Sequence, residues 1–407
     1  MTTSARAGVG DGPTTVPIAV VVVAFLAVLL DGFDAATLAF VVPTLARDWA
    51  ITPAGFTLPL VLTNVGVVLG YLACGTLGAR FGRRRLLVGG LVVFAACTLV
   101  VAITLPAQSV PLLTVLRFLT GLGLGSVLPV AVSLATTHSP TRRRELVSVI
   151  VTLGLASGAT LGGFFGGRLL AGVGADGVFW VAGLLPLVVA GAAARLLPSE
   201  SGLSQDTAQA RHDARVGRLF DARLRTDTVL LWAFSFLVFV AAYTLTSWVP
   251  TLLLGYGFAP ADAPLGLAFV SLGGVLGGIV LIPLAARIGI TRALIIMAVV
   301  GAACMAIAAR VDLGHTGLLL VLGGAGLGVT AGQIGQLALA VTLYPESTRT
   351  TGVGWAAALG RAGSVIGPGL AGILLALALP GADIILMTAA PVLIAGLCAT
   401  ALWRRTT

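Results

Sequence analysis

The sequence predicts an all-α integral membrane protein: twelve transmembrane helices in two pseudo-symmetric six-helix bundles. Three observations carry this. Of 407 residues, 58% are hydrophobic and only 10% charged, and the mean hydropathy is +1.07, whereas a soluble domain is about 25% charged. The apolar residues, about 236 in all, fall into runs long enough to cross a bilayer, which takes about 20 residues per helix. The pattern of runs and loops also repeats once along the chain. The 54 glycines suit helices that approach closely in lipid.

Runs bounded by charge or by Pro/Gly clusters place the spans at 17–45, 55–79, 86–105, 110–137, 146–170, 176–196, 227–254, 264–286, 293–310, 315–343, 350–378 and 382–403. The first run follows Arg6 and continues past Asp31 and Asp34 to Leu45. It is too long for a cleaved signal. Residues 1–16 are therefore expected to be a disordered cytoplasmic tail, followed by a six-helix bundle over 17–197. A cytoplasmic linker over 198–226, a second bundle over 227–403 and a short tail over 404–407 complete the organisation. Alternating the spans puts Arg80, Arg83, Arg84, Arg85, Arg142, Arg143, Arg144, Arg287, Arg292, Arg349, Arg404 and Arg405 on one side and only Arg47, Arg168 and Arg310 on the other. By the positive-inside rule the Arg-rich side, with both termini, faces the cytoplasm.

The two blocks of six are related. Leu77-Gly-Ala-Arg80-Phe-Gly82 after the second span is matched by Leu284-Ala-Ala-Arg287-Ile-Gly289 after the eighth. Gly121-Leu-Gly-Leu-Gly125 in the fourth is matched by Gly324-Ala-Gly-Leu-Gly328 in the tenth, with offsets of 203 to 207 residues recurring in order. Such a duplication places any binding site between the halves, near the midplane.

Composition excludes several chemistries. The sequence has no Lys, so all 24 basic residues are Arg, and neither Schiff-base catalysis nor a phosphate-binding P-loop can be built. The net charge of +9 is spread over short loops and does not indicate nucleic-acid binding. Cys74, Cys97, Cys304 and Cys398 lie in apolar runs without metal-ligand spacing, and the three His are isolated. No enzyme activity, metal or cofactor is expected.

The polar residues inside the spans carry the functional signal. Asp31 and Asp34 are the two carboxylates deep within a run, where an uncompensated charge costs several kcal/mol. Their spacing of three puts them on nearly one helical face, and two carboxylates that close do not readily both ionise. A reversible proton carrier needs that property. Arg117 lies about 10 Å deep in the fourth span, counted at 1.5 Å per residue, a depth compatible with pairing to Asp34. Arg361 sits near the midplane in the other half, with no acid of its own half deep enough to neutralise it. That is the arrangement expected if the ligand supplies an anion. Asn64, Tyr243, Trp248, Gln333, Gln336 and Trp355 are candidates for the rest of a pocket, in which Gln333 and Gln336 share a face and the aromatic rings offer flat walls.

The whole chain resembles the major facilitator superfamily. Gly75-Thr-Leu-Gly-Ala-Arg80-Phe-Gly82-Arg83-Arg84-Arg85 is similar to its signature between the second and third helices. Within it, the aromatic acid:proton symporter family is resembled through Asp31-Gly-Phe-Asp34 with Pro43, through Arg117-Phe-Leu-Thr-Gly-Leu-Gly-Leu-Gly125 with Pro129, and through Ser247-Trp248-Val-Pro250 and Gly360-Arg361. The resemblance implies uptake of a benzoate-like carboxylate with protons by a functional monomer in the inner membrane, with no cofactor beyond the proton gradient. Asp31, Asp34 and Arg117 are then the proton-coupling residues, and Arg80, Gly82, Arg83 and Arg84 belong to the gating signature. The signature's acidic position is Ala79 here, with Ala286 as its counterpart, so that latch is altered. A drug:proton antiporter of the same fold is the alternative. Its fifth-helix Gly-Pro kink is matched here only in its glycines, with Ala159 where Pro belongs. A transport-dead sensor would be expected to carry an added signalling domain.

Overall fold

The computed structural model describes residues 17–198, 219–221 and 224–406. The tail at 1–16 and most of the 198–226 linker lie outside the described residues. The first half comprises α1 (Ile18–Asp48), α2 (Thr57–Phe81), α3 (Arg83–Thr104) and α4 (Val110–Thr137). It ends with a helical stretch, Arg144–Leu196, that is broken at Gly174. The second half comprises α7 (Arg225–Leu254), α8 (Pro264–Ile288), α9 (Ile290–Arg310), α10 (Gly314–Leu343), α11 (Glu346–Ala376) and α12 (Gly381–Thr406).

The fifth and sixth predicted spans are both helical and meet without an intervening loop, and eleven helices among the described residues, counting these two as one, are long and apolar enough to cross a membrane. The reason is Gly174, which alone breaks the helical path (φ 72°, ψ 177°). A left-handed φ is cheap only for glycine, so one residue turns the chain where a loop was expected. We denote the arms α5 (144–173) and α6 (175–196). Both free ends lie at the Arg-rich side: the α5 end follows Thr137, whose hydroxyl accepts from Arg83 (3.1 Å), and Arg84 donates to the carbonyl of Ala194 at the α6 end. The stretch is a helical hairpin, so the described residues hold twelve membrane-length helices. Two further boundaries shift: α7 starts at Arg225, inside the expected linker, and α12 absorbs the expected tail through Thr406.

The duplication is visible in the packing. α1 lies on α5, α2 on α4 and α3 on the hairpin in the first half; α7 lies on α11, α8 on α10 and α9 on α12 in the second. The close approaches are built alike. A Cβ on Gly66 or Gly121 would collide with the partner backbone of α4 or α2, and the same is true of Gly273 and Gly326 between α8 and α10. The turns after α2 and α8 match as well, with Gly82 at φ 85°, ψ 147° and Gly289 at φ 87°, ψ 150°.

The halves touch at the Arg-poor end and part at the Arg-rich end. One apolar core runs through the second half and takes in the Arg-poor ends of the first, including Phe40, Leu45, Phe56 and Phe179. A separate core holds the Arg-rich ends of the first half alone, including Val28, Phe94, Leu134 and Val151. The α2–α11 pair shows the same split. Added Cβ atoms on Gly369 and Gly372 meet Val61 and Thr57 at the Arg-poor end, whereas on Gly75 and Gly354 they meet open space. Phe164 and Phe269 close the α5–α8 seam, their ring centroids 6.0 Å apart.

Candidate functional site between the halves

The division between the two cores on α1 falls at Asp31 and Asp34, and the two acids lie in different electrostatic surroundings. Residues three apart on a helix point about 60° apart, enough to send neighbouring side chains to different partners. Asp34 is fully buried, as is Arg117. Their ion pair is bidentate: Nη1 donates to Oδ1 (2.8 Å) and Nη2 to Oδ2 (2.7 Å). Arg117 Nε donates to Thr63 Oγ1 (3.3 Å), and Thr63 donates to the Pro59 carbonyl (2.7 Å). The planar guanidinium fork matches a carboxylate in this way, so α1, α2 and α4 are locked together with no net charge.

Asp31 makes no hydrogen bond or ion pair among the described residues. It lies within electrostatic reach of Arg361, across the interface, and of Asp34. Arg361 sits near the middle of α11, half-buried. It donates to the Tyr243 hydroxyl (3.0 Å) and lies over the Tyr71 ring, 5.5 Å from its centroid. Phe239 stacks on Tyr243 (6.0 Å, 13°). The sequence pointed to coupled aspartates with Arg117; the structure divides them into a sealed pair, Asp34–Arg117, and an open cluster of Asp31, Arg361, Tyr243 and Tyr71. Such a cluster can take an anion on Arg361 and an aromatic ring beside the tyrosines.

The other predicted residues separate into near and far. Gln336 of α10 is buried against Gly360, next to Arg361, and Gln333 on the same helix is half-buried. Asn64 is buried, and its Nδ2 donates to the Leu60 carbonyl (2.9 Å); α2 reaches Arg117 through Thr63 instead. Trp248 is not a wall of the cluster. Its ring is fully buried and Nε1 donates to the Pro368 carbonyl (3.0 Å), joining α7 to α11. Trp355 stacks on Trp232 (5.6 Å, 26°) in the Arg-rich half of α11, away from Arg361. Of the signature, Arg80 lies over Phe81 (5.3 Å), and Arg83 and Arg84 bind within their own half as described above. Thr63, Tyr71 and Phe239 were not singled out from the sequence. Tyr71 carried a signal: it follows Asn64 by seven residues and so shares its helical face. A cavity of about 380 Å³ lined by Tyr256, Arg310, Asp312 and His315 opens at the Arg-poor end, away from both clusters.

Comparisons with known proteins agree with this architecture. The family model of the Major Facilitator Superfamily matches residues 24–334. The chain is 33% identical to the 3-(3-hydroxy-phenyl)propionate transporter of Escherichia coli K12, over 94% of this chain and 93% of that one. It is 31% identical to the 4-hydroxybenzoate transporter PcaK of Pseudomonas aeruginosa (88% and 86% covered) and 30% identical to a gallate transporter of Pseudomonas putida (88% and 86% covered). Among solved structures, a bacterial homolog of the human lysosomal transporter Spinster superposes with a TM-score of 0.75 at 16% identity, covering 97% of this chain and 98% of that one. A multi-pass membrane transporter and not an enzyme, the chain belongs to the Major Facilitator Superfamily, in which it groups with the aromatic-acid transporters.

Proposed function

We propose that this protein imports a small aromatic carboxylate together with protons across the inner membrane, as a monomer driven by the proton gradient alone. The observation that carries the reading is Arg361, held by Tyr243 and Tyr71 near the middle of α11, at the seam of the two halves and within electrostatic reach of Asp31, which has no hydrogen bond or ion pair among the described residues. The substrate carboxylate binds Arg361 and its ring lies against the aromatic side chains. Asp31 is the proton-exchanging acid, while Asp34 and Arg117 hold the first half together. Anion and proton then cross as a neutral set, which avoids moving a net charge through lipid. The Arg-rich side and both termini are cytoplasmic by the positive-inside rule. The arrangement described here is accordingly open to the cytoplasm and closed outside by the α2–α11 and α5–α8 seams.

The test is uptake of labelled 4-hydroxybenzoate by proteoliposomes under an inward proton gradient, with and without protonophore. Accumulation that collapses with protonophore is expected. No uptake of the acid, together with expulsion of an aromatic amine against the gradient, would overturn the reading in favour of an antiporter.

A further inference from the structure

Gln336 presents an unanswered hydrogen-bond acceptor beside the substrate arginine. Its side chain is 3% exposed, and the buried Oε1 has no partner among the described residues. Buried acceptors are rarely left unpaired, because the lost hydration is not replaced. Gly360 of α11 faces this oxygen. A Cβ there would lie 3.2 Å from Oε1 and 3.0 Å from the Phe239 ring, tighter than side chains normally pack. Phe239 stacks on Tyr243, whose hydroxyl accepts from Arg361. The orphan oxygen therefore lies against Gly360, the residue next to the arginine that binds the carboxylate, at a place where any larger side chain would crowd it.

We infer that Gln336 reads a hydroxyl on the substrate ring, so that hydroxylated aromatic acids are preferred over the unsubstituted acid. The chemistry follows from the orphan's character. An amide oxygen only accepts, a ring hydroxyl donates, and neither the ring nor the carboxylate of benzoate has a proton to give. A site built around such an acceptor penalises the ligand that leaves it unpaired. The inference rests on the aromatic-acid reading and adds the substitution pattern to it.

Calorimetric binding to the purified full-length protein, with benzoate, 3-hydroxybenzoate and 4-hydroxybenzoate as probes, tests it. At least one hydroxylated acid is expected to bind the wild type about 5- to 100-fold tighter than benzoate. In Gln336→Met that ratio is expected to fall to about twofold or less, and in Gly360→Ala, whose methyl crowds Oε1, it is expected to shrink. Equal affinities in the wild type, or a ratio that survives in Gln336→Met, would overturn the inference while leaving the carboxylate site in place. If none of the three acids binds, the aromatic-acid reading falls and this inference with it. Should Gln336→Met fail to elute as a single species, the wild-type ratio and Gly360→Ala decide the question alone.

Discussion

Replacing Arg117 with Leu strips Asp34 of its counter-charge while leaving it where water does not reach. Both partners are at most 1% exposed and joined by two charge-assisted bonds of 2.7 and 2.8 Å. Breaking a buried pair from one side costs about 3–5 kcal/mol, because the remaining ion is uncompensated, whereas replacing both partners with apolar residues is often close to neutral. The loss of the Thr63 contact adds about 1 kcal/mol at most, since that bond is long and Thr63 keeps its own acceptor. The structure therefore predicts that Arg117→Leu is destabilised by about 3–5 kcal/mol, and that Asp34→Leu/Arg117→Leu together is more stable than Arg117→Leu alone. The interaction energy of the cycle should then be about 2 kcal/mol or more. Reversible unfolding in detergent, followed for the wild type, the two single variants and the double variant, gives that energy. Additive effects, or a cost below about 1 kcal/mol for Arg117→Leu, would show that the pair is not the electrostatic lock described.

Two further outcomes follow from the same geometry. Arg361→Ala should weaken aromatic-acid binding by about 10- to 100-fold, the worth of a hydrogen bond to a charged group, as read by calorimetry. Gly167→Val places a side chain against the backbone of Ala261 across the α5–α8 seam. It should wedge the Arg-poor end apart, so a cysteine introduced at Val61 in a cysteine-free background should react with an impermeant maleimide from that side several-fold faster than in the Gly167 parent.

The segmentation of the chain was legible in sequence because a span ends where charge or proline appears. The Arg117–Asp34 pair was legible too, since both residues have depths that can be counted along their own helices. The Gly174 hairpin was not. Residues 171–175 look like a loop, and only the backbone reveals that one glycine suffices. The approach of Arg361 to within electrostatic reach of Asp31 was equally hidden. It depends on how the two halves sit against each other, which no spacing within a span encodes. Trp248 shows the opposite error: an aromatic residue in a span looks like a ligand wall, but its indole N–H needs an acceptor when buried, and the Pro368 carbonyl supplies it. Tyr71, one of only four tyrosines, became meaningful once Arg361 was seen lying over its ring.

The most direct measurement of the central claim compares wild-type protein with Asp31→Asn in proteoliposomes, using two modes of the same transport. Exchange of labelled for unlabelled 4-hydroxybenzoate needs the arginine site and the rocking of the halves, whereas accumulation against a concentration gradient also needs the proton. Asp31→Asn is predicted to retain exchange and lose proton-driven accumulation. Undiminished accumulation in Asp31→Asn would contradict the account and move the proton to another residue.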